Sequence, residues 1–133
     1  MHGQTDLKEI LKNIDPHLVD ESFIFMTTDQ SLNTIGNSLN PIASFLENEG
    51  LSLVITQATA DKNAITYDSV FSCISLGVHS SLESYGLISV ISKELTQNKI
   101  STNVFSGYFH DHIFVQSDKA HEALEIISKI GSL

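Results

Sequence analysis

The sequence predicts an α+β chain built from two small β-α-β-β-α units. Three observations carry this. Residues Val70 to Ile130 read as strand, helix, strand, strand and helix in that order. The earlier part repeats a strand, a hairpin and a helix, with a loop where the first helix would fall. The segments SLVITQATADK and HIFVQSDKAHE occupy corresponding places, which marks a degenerate internal duplication.

Taken in order, Leu7, Ile10, Leu11 and Ile14 fall on one stripe of a short amphipathic helix, with Thr5 as its N-cap and Pro16 limiting its far end. Phe23-Ile24-Phe25-Met26 is apolar on both faces, so Glu21–Thr28 reads as a buried strand. Residues 29–40, dense in Asn, Ser and Gly, read as a loop. Ile42–Leu46 and Leu51–Ile55 form a hairpin turned at Asn48-Glu49-Gly50, and Glu47 and Glu49 read as its solvated tip rather than a catalytic pair. A short helix over Gln57–Ala64 follows, capped at or near Thr59.

The second half is cleaner. Val70 to Val78 is a central strand that ends at His79. Ser80-Ser81-Leu82-Glu83 matches a capping box, in which Ser80 accepts from the first helical N–H groups and Glu83 reaches back. The helix it opens carries Leu87, Ile88, Ile91 and Leu95 on one face and ends near Asn98, a residue that tolerates the left-handed conformation. Gly86 would lie inside that helix, at a cost of ~1 kcal/mol relative to Ala, which points to close packing. Ile100–Phe105 and His112–Val115 are strands joined through Ser106–Phe109, and Ser117 or Asp118 caps a last helix with the stripe Ala120, Ala123, Leu124 and Ile127.

Composition narrows the function classes. Sixteen acidic residues face seven basic ones, all Lys, for a net charge of −9. Without Arg or a basic surface, binding to nucleic acid or to an anionic membrane is disfavoured. Met1–Leu11 carries no apolar signal core and no run approaches the ~18–20 apolar residues of a membrane span, so a cytoplasmic protein is expected. Cys73 is the only cysteine and sits in an apolar strand, which makes it an inert buried thiol. No nucleophile elbow, P-loop or zinc-protease motif is present, so no catalytic centre and no cofactor are expected.

The stretch VHSSLESYGLISVISKELTQNKISTNVFSGYFHDHIFV resembles the C-terminal ACT-type domain of a family of small bacterial proteins. That family carries V-H-S-S-L-E-x-x-G-L, then G-I-S-x-N-V, then G-Y-Y-H-D-H-L-F-V. FIFMTT and FLENEGLSLVIT resemble its N-terminal, abbreviated ACT-like unit, so the resemblance covers nearly the whole chain. Asn98-Lys99 replaces the usual Gly before Ile100, and Phe109 replaces Tyr. The resemblance implies tandem ferredoxin-like units, with helices packed on one face of an antiparallel sheet, over residues 1–66 with the leading helix and 67–133. It also implies an amino acid or similar effector, bound between the first strand and first helix of a unit and often across an interface. The arginine-sensing CASTOR proteins belong to the same wider group.

The candidate site follows from helix physics. Unpaired N–H groups and about half a positive charge at a helix start can hold a carboxylate. The expected ligand-binding residues are His79, Ser80, Ser81, Leu82, Glu83, Asn103, His110 and His112, with Glu83 facing the ligand ammonium. The capping role of Ser80 and Glu83 competes with that reading. His110-Asp111-His112 has a metal-like H-x-H spacing, yet a structural role is favoured, with Asp111 bonding turn amides and a histidine at the pocket rim; no metal is assigned. The expected function is a non-catalytic small-molecule sensor or regulatory protein, a homodimer or larger. The alternative is an empty interaction module that oligomerises through its sheet edges or helices.

Overall fold

The computed structural model describes residue 3 and residues 6–132. It contains α1 (Leu7–Lys12), β1 (Pro16–Thr28), α2 (Leu32–Leu39), β2 (Ala43–Glu47), β3 (Gly50–Thr56), α3 (Gln57–Lys62), β4 (Phe71–Leu76), α4 (Leu87–Gln97), β5 (Asn103–Ser106), β6 (Asp111–Gln116), a 3-10 turn at Ser117–Lys119 and α5 (Ala120–Ile130). Two compact units result. One draws its described residues from Met1–Val19 and Ser72–Leu133, and the other is Asp20–Phe71. The sequence reading puts Leu7–Val19 with the first half; in space those residues pack with the second.

In the Asp20–Phe71 unit the strand order is β2-β3-β1, all antiparallel, with Phe23 opposite Thr56 and Leu46 opposite Leu51. Ile24, Leu53 and Ile55 bury their side chains against Ile35 and Leu39 of α2 and Ala60 of α3. Burial of the strand is one-sided in places: Phe23 and Ile24 are enclosed, whereas Phe25 is 38% exposed. Residues 29–40 are not a loop. Ser31 caps α2 by accepting from the Thr34 N–H at 3.3 Å, and Asn40 closes it in the left-handed conformation at φ 45°. Only Ile35 and Leu39, one turn apart, are buried from this helix. Two apolar anchors between a good N-cap and a good C-cap suffice once the sheet supplies a surface, overriding the local preference of Asn, Ser and Gly. Both units therefore run β-α-β-β-α.

In the other unit the order is β1-β4-β6-β5, with the start of β1 joining from ahead in the chain. That strand begins at Pro16 rather than Glu21. Ile74 and Leu76 of β4 and Ile113 and Val115 of β6 face Leu87, Ile91 and Leu95 of α4 and Ala120, Ala123 and Ile127 of α5. Each of the Leu, Ile and Val side chains contributes about 1.5–3 kcal/mol on burial. Ile10 of α1 completes this core.

Helix ends differ from expectation at several points. The expected cap Thr5 lies outside the described residues, and Asp6 caps α1 by accepting from the Lys8 N–H. Thr56, not Thr59, caps α3. No side chain among the described residues caps α5, where Ser117 instead accepts from the Ser72 hydroxyl. At the end of α4, Asn98 is not left-handed; Lys99 is, at φ 59°. The Ile100 N–H to Leu95 carbonyl bond (3.0 Å) and the Lys99 N–H to Thr96 carbonyl bond (2.9 Å) make a Schellman closure. The position where the resembled family carries Gly is thus the one where Gly is favoured. The expected second strand from Ile100 starts only at Asn103: Ile100 is taken by this closure, and Ser101 donates its N–H and hydroxyl to Gln116 Oε1 instead of a ladder carbonyl.

Candidate ligand cleft

The largest departure from the sequence reading sits at the start of α4. The capping box predicts a helix opening at Ser80, but α4 begins at Leu87, and its N-cap is Gly86 at φ 104° with no side-chain cap bond. Residues 77–86 form an irregular connection instead. Glycine fits there because an ideal Cβ would stand 2.8 Å from Leu7 Cδ2, on a backbone that L side chains rarely adopt. Glu83 is exposed and does not reach back to Ser80. The connection is organised by its own serines: the Ser81 hydroxyl accepts from the Glu83 N–H (3.1 Å), and the Ser84 hydroxyl donates to the Ser81 carbonyl (2.6 Å).

Ser80 therefore does different work. Its hydroxyl donates to Asp111 Oδ2 at 3.3 Å, and both residues are buried, at 9% and 8% exposure. The sequence predicts Asp111 bonded to turn amides; its observed side-chain partner is the Ser80 hydroxyl. The turn itself is closed by the Gly107 N–H donating to the His110 carbonyl at 2.9 Å.

Between the connection, the start of α4 and the β5–β6 turn lies a cleft of about 170 Å³. Ser80, Ser81, Leu82, Ser84, Gly86, Leu87, Ile88, Ser89, Ser106, Gly107 and Asp111 line it. It is smaller than the ~300–1,000 Å³ of drug-sized sites. Two opposite polarities meet in it. The α4 start presents N–H groups and the positive end of the helix dipole, and Asp111 presents a carboxylate.

Of the eight expected residues, Ser80, Ser81 and Leu82 line the cleft. His79, Glu83, Asn103, His110 and His112 do not. Strand parity explains two of the five, Asn103 and His112. Ile113 and Val115 face the helices, so Asp111 does too, and His112 points to the opposite face. There its Nδ1 lies 2.8 Å from the Ser75 hydroxyl. Burial, then the neighbouring His110, pushes the His112 pKa down from the usual imidazole value. In the β5–β6 pairing, Asn103 stands opposite Phe114 and Ser106 opposite Asp111, so Ser106 joins the cleft and Asn103 shares the other face. Asn103 donates to the Phe114 carbonyl at 3.4 Å. His79 stacks at a tilt on Phe109, ring centres 5.3 Å apart, and His110 Nδ1 lies 3.3 Å from the Val78 carbonyl. The sequence reading missed Ser106 and Asp111 as lining residues. Continuing the alternation forward from Val104 and back from Ile113 would have found both sides of that wall.

Among the described residues no group of three or more His, Cys, Asp or Glu is placed to hold a metal ion. Burial raises the Cys73 thiol pKa, against nucleophilic use. No helix among them is long and apolar enough to cross a membrane.

Comparison with known proteins bears on the whole chain. A protein of unknown function from Vibrio cholerae, described as a possible transport protein, is 38% identical over 94% of this chain and 95% of its own, with a TM-score of 0.85. An aspartate kinase from Clostridium acetobutylicum superposes with a TM-score of 0.63 at 13% identity, over 84% of this chain and 33% of the kinase. The ligand-free regulatory subunit of aspartate kinase from Thermus thermophilus gives 0.60 at 7% identity, over 89% and 98%. The two kinase likenesses show the fold alone. No curated protein matches the chain. One ACT domain model matches residues 2–72 and a second matches residues 68–129. The chain belongs to the ACT domain family, as two ACT-type units in tandem with an antiparallel sheet and packed helices.

Proposed function

We propose that this protein is a non-catalytic regulatory module that binds a small zwitterionic metabolite, an amino acid in the first instance, in the cleft at the start of α4. Family membership supports a small-molecule-binding regulatory role in general. The observation that carries the finer reading is the glycine N-cap. A capping box would have consumed the helix N–H groups, whereas Gly86 leaves them without a side-chain partner among the described residues. A ligand carboxylate would take these donors. Its ammonium would face Asp111, the role the sequence reading gave to Glu83. Ser80, Ser81 and Leu82 stay in the proposed site; His79 and His110 would act through the surrounding turn, and His112, on the opposite face, falls outside it.

Calorimetric and thermal-shift titration with the twenty amino acids tests this. A ligand at 100 times its Kd should stabilise the fold by about 2.7 kcal/mol. Ser84→Phe, which fills the cleft from its exposed wall, should abolish the shift. No shift for the wild-type protein at millimolar concentration would remove the amino-acid reading.

The interaction-module reading is favoured by a separate observation in the Asp20–Phe71 unit. Its outer strand β2 exposes Phe45 at 69% and Leu46 at 77%, on opposite faces. Such an edge invites pairing with another chain. A ligand-dependent change in oligomeric state, measured by light scattering, supports the sensor; an oligomer indifferent to ligand supports the module.

A further inference from the structure

Among the described residues that line the cleft, Asp111 is the one charged side chain, and no Lys or His joins it. Asp111 is 8% exposed, yet its carboxylate is only half used. The Ser80 hydroxyl donates to Oδ2 at 3.3 Å, while Oδ1 accepts from no donor among the described residues. Nor is Oδ1 sealed away: the one fully enclosed side-chain oxygen without a partner among those residues is Thr102 Oγ1. A carboxylate so enclosed ordinarily fills its acceptor sites, so an open oxygen facing a cleft calls for a donor. Positive potential comes instead from the amino end of α4, whose first N–H groups Gly86 leaves without a side-chain cap.

The serines of the lining divide into two sets. Three hydroxyls are committed: Ser80 donates to Asp111, Ser81 accepts from the Glu83 N–H, and Ser84 donates to the Ser81 carbonyl. Ser89, in the first turn of α4, and Ser106, opposite Asp111 in the β5–β6 pairing, line the same cleft. Their hydroxyls bond no described residue. Both residues are exposed, so water satisfies them, and replacing that water brings a modest gain.

We infer that the cleft selects an amino acid with a neutral, hydrogen-bonding side chain, a hydroxyl in the first instance, and rejects acidic ones. This rests on the amino-acid reading above. With the ligand carboxylate at the α4 start and its ammonium on Asp111, the side-chain hydroxyl is left for Ser89 and Ser106. A second carboxylate finds no cation in the lining and shares the cleft with Asp111, where like charges repel. A purely apolar side chain leaves both serines without a ligand partner.

Calorimetric titration of the full chain with serine, alanine, asparagine and aspartate tests the selection. Serine should bind about fivefold more tightly than alanine. Asparagine should bind at least about tenfold more tightly than aspartate, which matches it in shape and differs in charge. The double variant Ser89→Ala/Ser106→Ala should remove the advantage of serine and leave the Kd for alanine unchanged. Equal affinities for serine and alanine overturn the selection and leave the amino-acid reading standing, as does aspartate binding as tightly as asparagine. A double variant that weakens both ligands alike overturns the role of the two hydroxyls. If none of the twenty amino acids binds, the amino-acid reading itself fails and the selection falls with it.

Discussion

The helices α2 and α4 occupy the same place in the β-α-β-β-α order of their units, yet they begin in opposite ways. α2 starts one residue after Ser31, whose hydroxyl accepts from the Thr34 N–H, so the helix closes its own amino end. α4 starts after a ten-residue connection and a left-handed glycine, with no side-chain cap among the described residues and a cleft in front of it. The difference shows how one plan can yield either a helix that caps its own amino end or one whose first N–H groups have no side-chain cap. The deciding variable is whether a side chain inside the chain consumes the first N–H groups.

Three measurements can break or sharpen this contrast. Gly86→Ala should have the largest effect, destabilising the chain by about 1–3 kcal/mol in urea unfolding, through left-handed strain and the loss of room for Leu7. An unchanged midpoint would mean that the α4 start does not depend on this backbone. Next come the two rival caps. Ser31→Ala should cost about 1 kcal/mol, whereas Glu83→Ala should stay within about 0.5 kcal/mol, because Glu83 is exposed and makes no capping bond. Equal costs would restore the capping box at Ser80–Glu83 and undo the contrast.

The third concerns the two faces of β6. Since the folded state holds the His112 pKa below its unfolded value, the unfolded chain takes up the proton first as pH falls. Stability should therefore decline as pH drops below about 6.5. His112→Gln should flatten the stability profile in that window without changing any ligand response, because this side chain lies on the face away from the cleft. A His112→Gln variant that loses ligand binding would place the site on the other face.

Much of the fold was legible. The alternation of Ile74, Leu76 and Val78 and the 3.6-residue stripe of Leu87, Ile91 and Leu95 are periodic signals, and the core they predict is the one observed. The Phe45–Ser52 pairing of the hairpin followed from its turn residues. The helix at 32–39 was hidden because two buried residues, Ile35 and Leu39, are too few to outweigh Asn, Ser and Gly by composition. Its caps were readable at Ser31 and Asn40, but caps alone do not show that a sheet waits beneath.

The lining of the cleft was legible in part. Ser80, Ser81 and Leu82 were placed beside a helix start by local motif, and they do line the cleft there. The histidines were singled out by type and proximity in sequence, and parity sent His112 to the other face. Local order thus determined which elements form, since periodicity and turn chemistry act over a few residues. Tertiary structure decided where α4 begins: Ser80 meets a buried carboxylate thirty-one positions away, at Asp111, and Leu7 leaves room for nothing larger than glycine at residue 86. A capping serine and a serine bonded to a buried Asp have the same sequence signature. Only the packing of β6 against the connection chooses between them, because a buried carboxylate left without a donor costs more than a helix left without a cap.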